Sequence, residues 1–247
     1  MVDRPPNLAP SPDLTALAER IHSVRSRIQA AARRARRDPA EIRLIAVSKG
    51  QPAAAIQKAI SDGLREFGEN YLEEALPKIQ LLSPAVTWHM IGHVQGRKAK
   101  ATAEFFPWVH SVDSVALARR LSRFAVEAGK TIQVLLECNL SGEATKSGWS
   151  AADPSAWESL WPLWREILPL PGLSVVGLMT MAPYSDDPET SRPIFRSLKR
   201  LQAAARKFVP GSDWTELSMG MSDDFEPAVE EGATMVRIGR AVFGARP

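Results

Sequence analysis

Lys49 closes an apolar run, Leu44-Ile45-Ala46-Val47-Ser48, and is followed by Gly50 and a proline at position 52. A lysine at the end of such a run is partly withdrawn from water. Its pKa then falls, and it becomes a nucleophile toward carbonyl groups. The same position also suits a lysine that carries its ammonium out to solvent along its stem. Two later segments bear on that choice. In Leu217-Ser218-Met219-Gly220-Met221-Ser222-Asp223-Asp224 the small residues Gly220 and Ser222 precede a helix start. Backbone N–H groups at such a turn form an anion site, helped by the helix dipole. In Met235-Val236-Arg237-Ile238-Gly239-Arg240, Arg237 is a cation inside an apolar run. It demands a partner, which is either a ligand or a salt bridge across the interior. Gly239 lets the backbone approach a ligand closely. Asn70, in Gly68-Glu69-Asn70-Tyr71, either hydrogen-bonds a ligand or caps the next helix.

Other polar groups carry weaker chemistry. His89, His93 and His110 invite a metal reading. His-x-x-x-His brings both ligands together on a helix, but here it falls on a strand and its end, so no metal site is expected. The run Arg33-Arg34-Ala35-Arg36-Arg37 closes a helix, where cations favour the dipole. A nucleic-acid patch is the alternative for it, ranked last among the functions. Cys138 lies mid-strand as a buried, inert thiol. Trp157, Trp161 and Trp164 recur at helical spacing and read as core.

Elements must hold these residues in place. Apolar runs of strand length fall at 43–48, 65–69, 87–92, 109–113, 132–139, 174–181, 216–219 and 235–238. Helical patterns lie between them at about 53–62, 71–82, 95–104, 114–128, 154–168, 188–208 and 225–231. Helix starts are marked by Asp153-Pro154, by Asp187-Pro188-Glu189, and by Asp223 with Glu226 as a capping box. Ahead of them, Ser11-Pro12-Asp13 begins an amphipathic helix carrying Leu14, Leu17, Ile21, Val24, Ile28 and Ala31 and ending near Arg37. Strands alternating with helices predict an α/β protein with a parallel sheet. Eight of them fit a single (β/α)₈ TIM-type barrel with an extra N-terminal helix. A doubly wound sheet is the rival, but no G-x-G-x-x-G follows the first strand. Residues 1–12 are expected to be a flexible tail and 13–247 one barrel domain. In such a barrel the strand ends form the functional face, where Lys49, Asn70 and the last two strand ends all lie.

Composition sets the outer limits. The chain has 247 residues, 45% hydrophobic and 24% charged, with a net charge of +3. That suits a folded domain and does not by itself imply a nucleic-acid partner. The single cysteine excludes an internal disulfide and favours a reducing cytoplasm. The N-terminus lacks the apolar core of a signal peptide, and no segment approaches the roughly 20 apolar residues of a membrane span.

Seven blocks together carry a family resemblance: LIAVSKGQP at 44–52, REFGENYLEEALPK at 65–78, WHMIGHVQGRKAK at 88–100, HSVDS at 110–114, NLSGEATKSG at 139–148, VVGLMTMAP at 175–183, and LSMGMSDDFEPAVEEGATMVRIGRAVFGAR at 217–246. In this order they strongly resemble the pyridoxal phosphate homeostasis protein family, from about residue 14 onward. The resemblance implies a barrel like the N-terminal domain of alanine racemase, with pyridoxal 5′-phosphate (PLP) held as a Schiff base on Lys49. It implies that Ser218, Ser222 and the backbone near Gly220 and Gly239 hold the phosphate. It further implies that Arg237 faces the pyridine nitrogen and that Asn70 lies beside the cofactor. An unprotonated ring nitrogen is a weaker electron sink. The expected role is therefore intracellular vitamin B6 homeostasis without robust turnover and with no catalytic residue: the protein holds, buffers or delivers PLP, with PLP-dependent client enzymes as candidate partners. A slow PLP-dependent amino-acid racemase is the alternative. Alanine racemases draw a second base from an additional β domain, which this chain is not expected to contain. A monomer or weak homodimer in the cytoplasm, bound neither to membrane nor to nucleic acid, is expected. Two positions depart from the usual family pattern: Arg97 stands where Asn is common, and Arg240 where Thr follows the glycine. Arg240 either adds a contact to the phosphate or points to solvent.

Overall fold

A computed structural model describes residues 16–245 apart from 83 and 144. The expected tail at 1–12 and the helix start at Ser11-Pro12-Asp13, with Leu14, lie outside the described residues. The elements run α1 (Leu17–Arg34), β1 (Arg43–Val47), α2 (Ala53–Ser61), β2 (Glu66–Glu69), α3 (Leu72–Leu81), β3 (Thr87–Met90), α4 (Ala99–Phe105), β4 (Trp108–Val112), α5 (Val115–Glu127), β5 (Ile132–Asn139), β6 (Trp149–Ser150), α6 (Leu160–Ile167), β7 (Leu173–Met179), α7 (Arg192–Phe208), β8 (Glu216–Ser218), α8 (Phe225–Glu230), β9 (Met235–Ile238) and α9 (Arg240–Phe243).

The strands pair in the order β4-β3-β2-β1-β9-β8-β7-β5, and a β4–β5 pairing closes the ring. Every ladder is parallel. The eight strands form a closed barrel with helices around it, as the alternation predicted, and the chain's first barrel strand lies against its last. Ile45 sits opposite Arg237 and Ala46 opposite Ile238. Two-residue β6 pairs only with the end of β5 and stands outside the ring; a segment that short leaves no period to read.

The apolar stripe of α1 is buried through Leu17, Ile21, Val24, Ile28 and Ala31. The helix ends at Arg34, three residues before the expected Arg37, because Arg36 takes a positive φ of 56° and turns the chain. The basic run is not simply solvated. Arg34 pairs with Glu230, and Arg37 Nη1 donates to the carbonyls of Val229 (2.7 Å) and Ala233 (2.8 Å). Arg20 Nε reaches the Val242 carbonyl at 2.8 Å. These bonds fasten α1 across α8 and α9. Trp157, Trp161 and Trp164 are buried as their spacing implied, with Trp164 packed edge-on to Trp161 and tilted against Trp214.

Asp153 and Asp187 accept hydrogen bonds from Ser155 N (2.9 Å) and Glu189 N (3.0 Å), each starting a short 3₁₀ turn that leads into a helix. The capping box of Asp223 and Glu226 does not form. Asp224 occupies the cap position of α8, Asp223 pairs with Arg240, and Glu226 pairs with Arg27. Side-chain partners from other elements outcompete the local box. No helix among the described residues is long and apolar enough to cross a membrane.

Candidate functional site

A cavity of about 480 Å³ opens where β1 and β9 end. That volume lies in the range of small-molecule sites, roughly 300–1,000 Å³. Lys49, Asn70, Ser222, Arg237, Gly239 and Arg240 all line it, so six of the eight residues singled out for a ligand come together. Ser218 and Gly220 stand behind its wall. Ser218 is fully buried, with its hydroxyl bonded to Arg237 and His110. Gly220 is in the left-handed region, φ 94°, and its carbonyl accepts from Arg237 N at 2.9 Å.

The backbone on both sides of Lys49 is fixed. Ser48 N donates to the Gly68 carbonyl (3.0 Å) and its hydroxyl to Glu69 Oε1 (2.7 Å). Buried Lys78 donates to the Ser48 carbonyl (2.8 Å), to Glu69 Oε1 (2.8 Å) and to Glu74 Oε1 (2.5 Å). Gly50, with φ 74°, donates its N–H to the same Glu74 carboxylate. Burial pushes the Glu69 carboxyl above its ordinary pKa, while the Lys78 and Ser48 bonds pull the other way. A lysine, two carboxylates and a serine thus hold the 48–50 turn to β2 and α3, and the turn holds Lys49 half-buried at the cavity.

Arg237 is 4% exposed. Its Nη1 donates to Ser218 Oγ at 2.6 Å and its Nη2 to the Thr180 carbonyl at 2.8 Å. Burial pushes its pKa down to about 10, against the pull of Asp224 and Glu137, so the guanidinium stays charged at neutral pH. Among the described residues it meets no carboxylate directly, and its partners are a hydroxyl and a carbonyl instead of the salt bridge weighed from the sequence.

The last two strand ends build the opposite wall. Ser222 Oγ accepts from Ala241 N at 3.2 Å, joining the two turns. Among the described residues the backbone N–H groups of Ser222, Gly239 and Arg240 meet no acceptor. Two buried oxygens at the cavity, Asn70 Oδ1 and Gln51 Oε1, also lack a protein partner. Tyr71, not Asn70, stands at the cap position of α3, so capping does not account for Asn70. Donors, acceptors, a fixed cation and a lysine around one hollow fit a small ligand with an anionic end and a carbonyl.

Comparisons with known proteins carry this geometry to a family. The family model described as alanine racemase, N-terminal domain, matches residues 16–247. The pyridoxal phosphate homeostasis protein of Pseudomonas aeruginosa is 44% identical over 234 residues, covering 94% of this chain and 97% of that one. The chain belongs to the pyridoxal phosphate homeostasis protein family. PipY of Synechococcus elongatus, solved with PLP bound, superposes with a TM-score of 0.80 at 38% identity, over 92% of this chain and all of that one. Alanine racemase of Corynebacterium glutamicum shares the fold at TM-score 0.69 and 21% identity, over 96% of this chain and 62% of that one.

Both departures from the usual pattern of the pyridoxal phosphate homeostasis proteins have a place in the structure. Arg97 is exposed, donates to Gln95 Oε1 at 3.1 Å, and does not line the cavity. Arg240 lines the mouth with its side chain 60% exposed, held toward solvent in an ion pair with Asp223. Val47, Gln51, Ile91, Met181, Met221, Asp223, Gly244 and Ala245 complete the wall and were not singled out for a ligand from the sequence. Gln51 alone had a signal there, as a polar residue two positions beyond Lys49. His93 lies outside, paired with Asp113 at 3.1 Å. His89 and His110 are buried inside the barrel, bonded to each other. No group of three or more metal-ligating side chains gathers among the described residues.

Proposed function

We propose that this chain binds pyridoxal 5′-phosphate as a Schiff base on Lys49 and serves intracellular vitamin B6 balance without robust turnover. The observation that carries this is the single cavity uniting Lys49 with Arg237 and with the N–H groups of Ser222, Gly239 and Arg240. Family membership and the PLP-bound state of PipY support it.

When bound, PLP supplies an electrophilic aldehyde joined to an electron-withdrawing ring. Lys49 holds the aldehyde carbon by its amine. The turns at 221–223 and 239–241 hold the phosphate through backbone N–H groups and the Ser222 hydroxyl. Asn70 and Gln51 offer acceptors for the polar edge of the ring. Arg237 would face the ring nitrogen and keep it unprotonated, which would weaken the ring as an electron sink and disfavour general amino-acid chemistry. Ser218 acts through Arg237, and Gly220 shapes the turn. The protein works in the cytoplasm as a monomer or weak homodimer and passes PLP to client enzymes.

The racemase reading needs a second proton-transferring group facing Lys49. The chain's two tyrosines, Tyr71 and Tyr184, do not line the cavity, and Tyr184 donates a hydrogen bond from its hydroxyl to Asp186 Oδ1. The decisive experiment records the visible spectrum of the purified protein with added PLP, reduces it with borohydride and maps the modified lysine. A yellow protein with the adduct on Lys49, lost in Lys49→Ala, is expected. A colourless wild type that takes up no PLP sinks the proposal, and rapid racemisation of L-alanine in a chiral assay sinks its homeostasis half.

A further inference from the structure

A file of hydrogen bonds crosses the barrel interior beneath the cavity. Arg237 Nη1 lies 2.6 Å from Ser218 Oγ. Ser218 Oγ lies 2.9 Å from His110 Nδ1. His110 Nε2 lies 2.9 Å from His89 Nδ1, and His89 Nε2 lies 2.6 Å from Glu66 Oε2. The first four residues are buried, Arg237 at 4% and the other three at 0% exposure. Glu66 is 26% exposed and lines a separate hollow of about 600 Å³ at the N-terminal ends of the strands.

The chemistry at the two ends dictates where every proton sits. A guanidinium only donates, so Ser218 Oγ accepts from Arg237. An ionised carboxylate only accepts, so His89 carries its proton on Nε2. Neutral His89 then offers Nδ1 as an acceptor, which His110 fills with Nε2–H. His110 is left with Nδ1 as an acceptor, and the Ser218 hydroxyl fills it. One orientation satisfies all four bonds. A second proton on His89 would set two N–H groups against each other at the His89–His110 contact, and one on His110 would displace the Ser218 hydroxyl proton from Nδ1. Burial opposes that proton too. It pushes His89 below the ordinary imidazole range against the Glu66 bond, and it pushes His110 well below, with the charges of Arg237 and Arg43 adding. Arg43 faces the pair from β1, bridged to Glu216 at 2.8 Å and lying over Trp108, which stacks on His89.

We infer that this one-way relay, from Arg237 through Ser218, His110 and His89 to Glu66, fixes the guanidinium at the cavity floor and makes His110 and His89 positioning residues for the cofactor site. Each donor along the file sharpens the acceptor behind it, so Ser218 Oγ holds Arg237 more firmly than an isolated hydroxyl would. The link to the cofactor rests on the PLP reading above; the relay itself does not.

The test has two arms. In cofactor-free protein at neutral pH, ¹⁵N NMR is expected to show His89 and His110 neutral and protonated on Nε2, with the Arg237 guanidinium resonances sharp and slowly exchanging. Either ring found charged or protonated on Nδ1 overturns the relay. Arg237 resonances unchanged in His110→Phe overturn its positioning role. In PLP-loaded protein, His110→Phe and Glu66→Ala are expected to shift the cofactor's absorption band and release PLP roughly tenfold faster, the loss of one bond to a charged group. Glu66→Gln keeps an amide oxygen as acceptor and is expected to behave as wild type. Wild-type spectra in His110→Phe, or identical behaviour of Glu66→Gln and Glu66→Ala, overturn the inference. If wild type forms no adduct on Lys49, the PLP reading fails, and the first arm still decides the relay.

Discussion

At the residue scale, the neighbour that matters most to Lys49 is another lysine. Lys78 is 7% exposed, and its ammonium is committed to Ser48, Glu69 and Glu74. It is therefore a brace and no rival nucleophile. Lys78→Met leaves Glu69 buried without its counter-charge, a loss of about 3–5 kcal/mol by analogy with broken buried pairs. Glu69 already has a raised pKa through burial. Its folded form takes a proton more readily than its unfolded form, so its contribution to stability falls as pH rises through the ordinary carboxylate range and levels off above the folded value. Removing Lys78 raises that folded value further. Urea unfolding is expected to show the full deficit of Lys78→Met at neutral pH and a smaller one in mild acid; an equal deficit at both would refute the charge argument. The place of Lys49 at a strand end was legible because it ends an apolar run, although that run alone suited a solvent-directed lysine as well. Its support was not, because spacing along the chain says which face a side chain takes and not which distant group meets it. The same limit hid the histidine relay. His89 and His110 drew attention as metal ligands, while their partners Glu66 and Ser218 come from other strands.

At the scale of elements, the turn between β8 and α8 is tightly specified. Gly220 has φ 94°, and a Cβ there would sit 2.6 Å from Ala228 Cβ and 2.9 Å from Phe225 Cα. The obstacle is α8 itself, not a flexible side-chain tip. Gly220→Ala is expected to cost about 2–4 kcal/mol, combining left-handed strain with overpacking, and to weaken PLP uptake by displacing Ser222. Thermal unfolding alongside a PLP titration checks both. A variant of unchanged stability would show that the turn yields easily. The sequence signalled a turn here through the small residues Gly220 and Ser222 ahead of a helix start. It misread the helix start beyond, because Asp223 and Glu226 fit a local box by spacing yet form ion pairs with Arg240 and Arg27. The barrel strands themselves were readable to within a few residues, since a parallel strand buried on both sides leaves a continuous apolar run.

Across the whole molecule, Cys138 of β5 packs with Val134 and Leu136 into the hydrophobic core shared with the helices. It is 2% exposed, and burial, aided by nearby Glu137, pushes its thiol far above the ordinary range. Because only the thiolate reacts, iodoacetamide at mildly alkaline pH is expected to leave the native protein unmodified and to label it fully in guanidinium. Labelling without denaturant would mean that the β5 side of the barrel opens.

The pairing of β1 with β9 has a consequence in time. Lys49 emerges early in synthesis, whereas Arg237, Gly239 and Arg240 come close to the chain's last residue. Until β9 docks beside β1, the lysine has no opposite wall, and an aldehyde meeting it would find only an ordinary amine. Capture of a ligand that needs both walls must wait until β9 has been made and has docked, so the first colour seen on the protein would time the closing of the barrel.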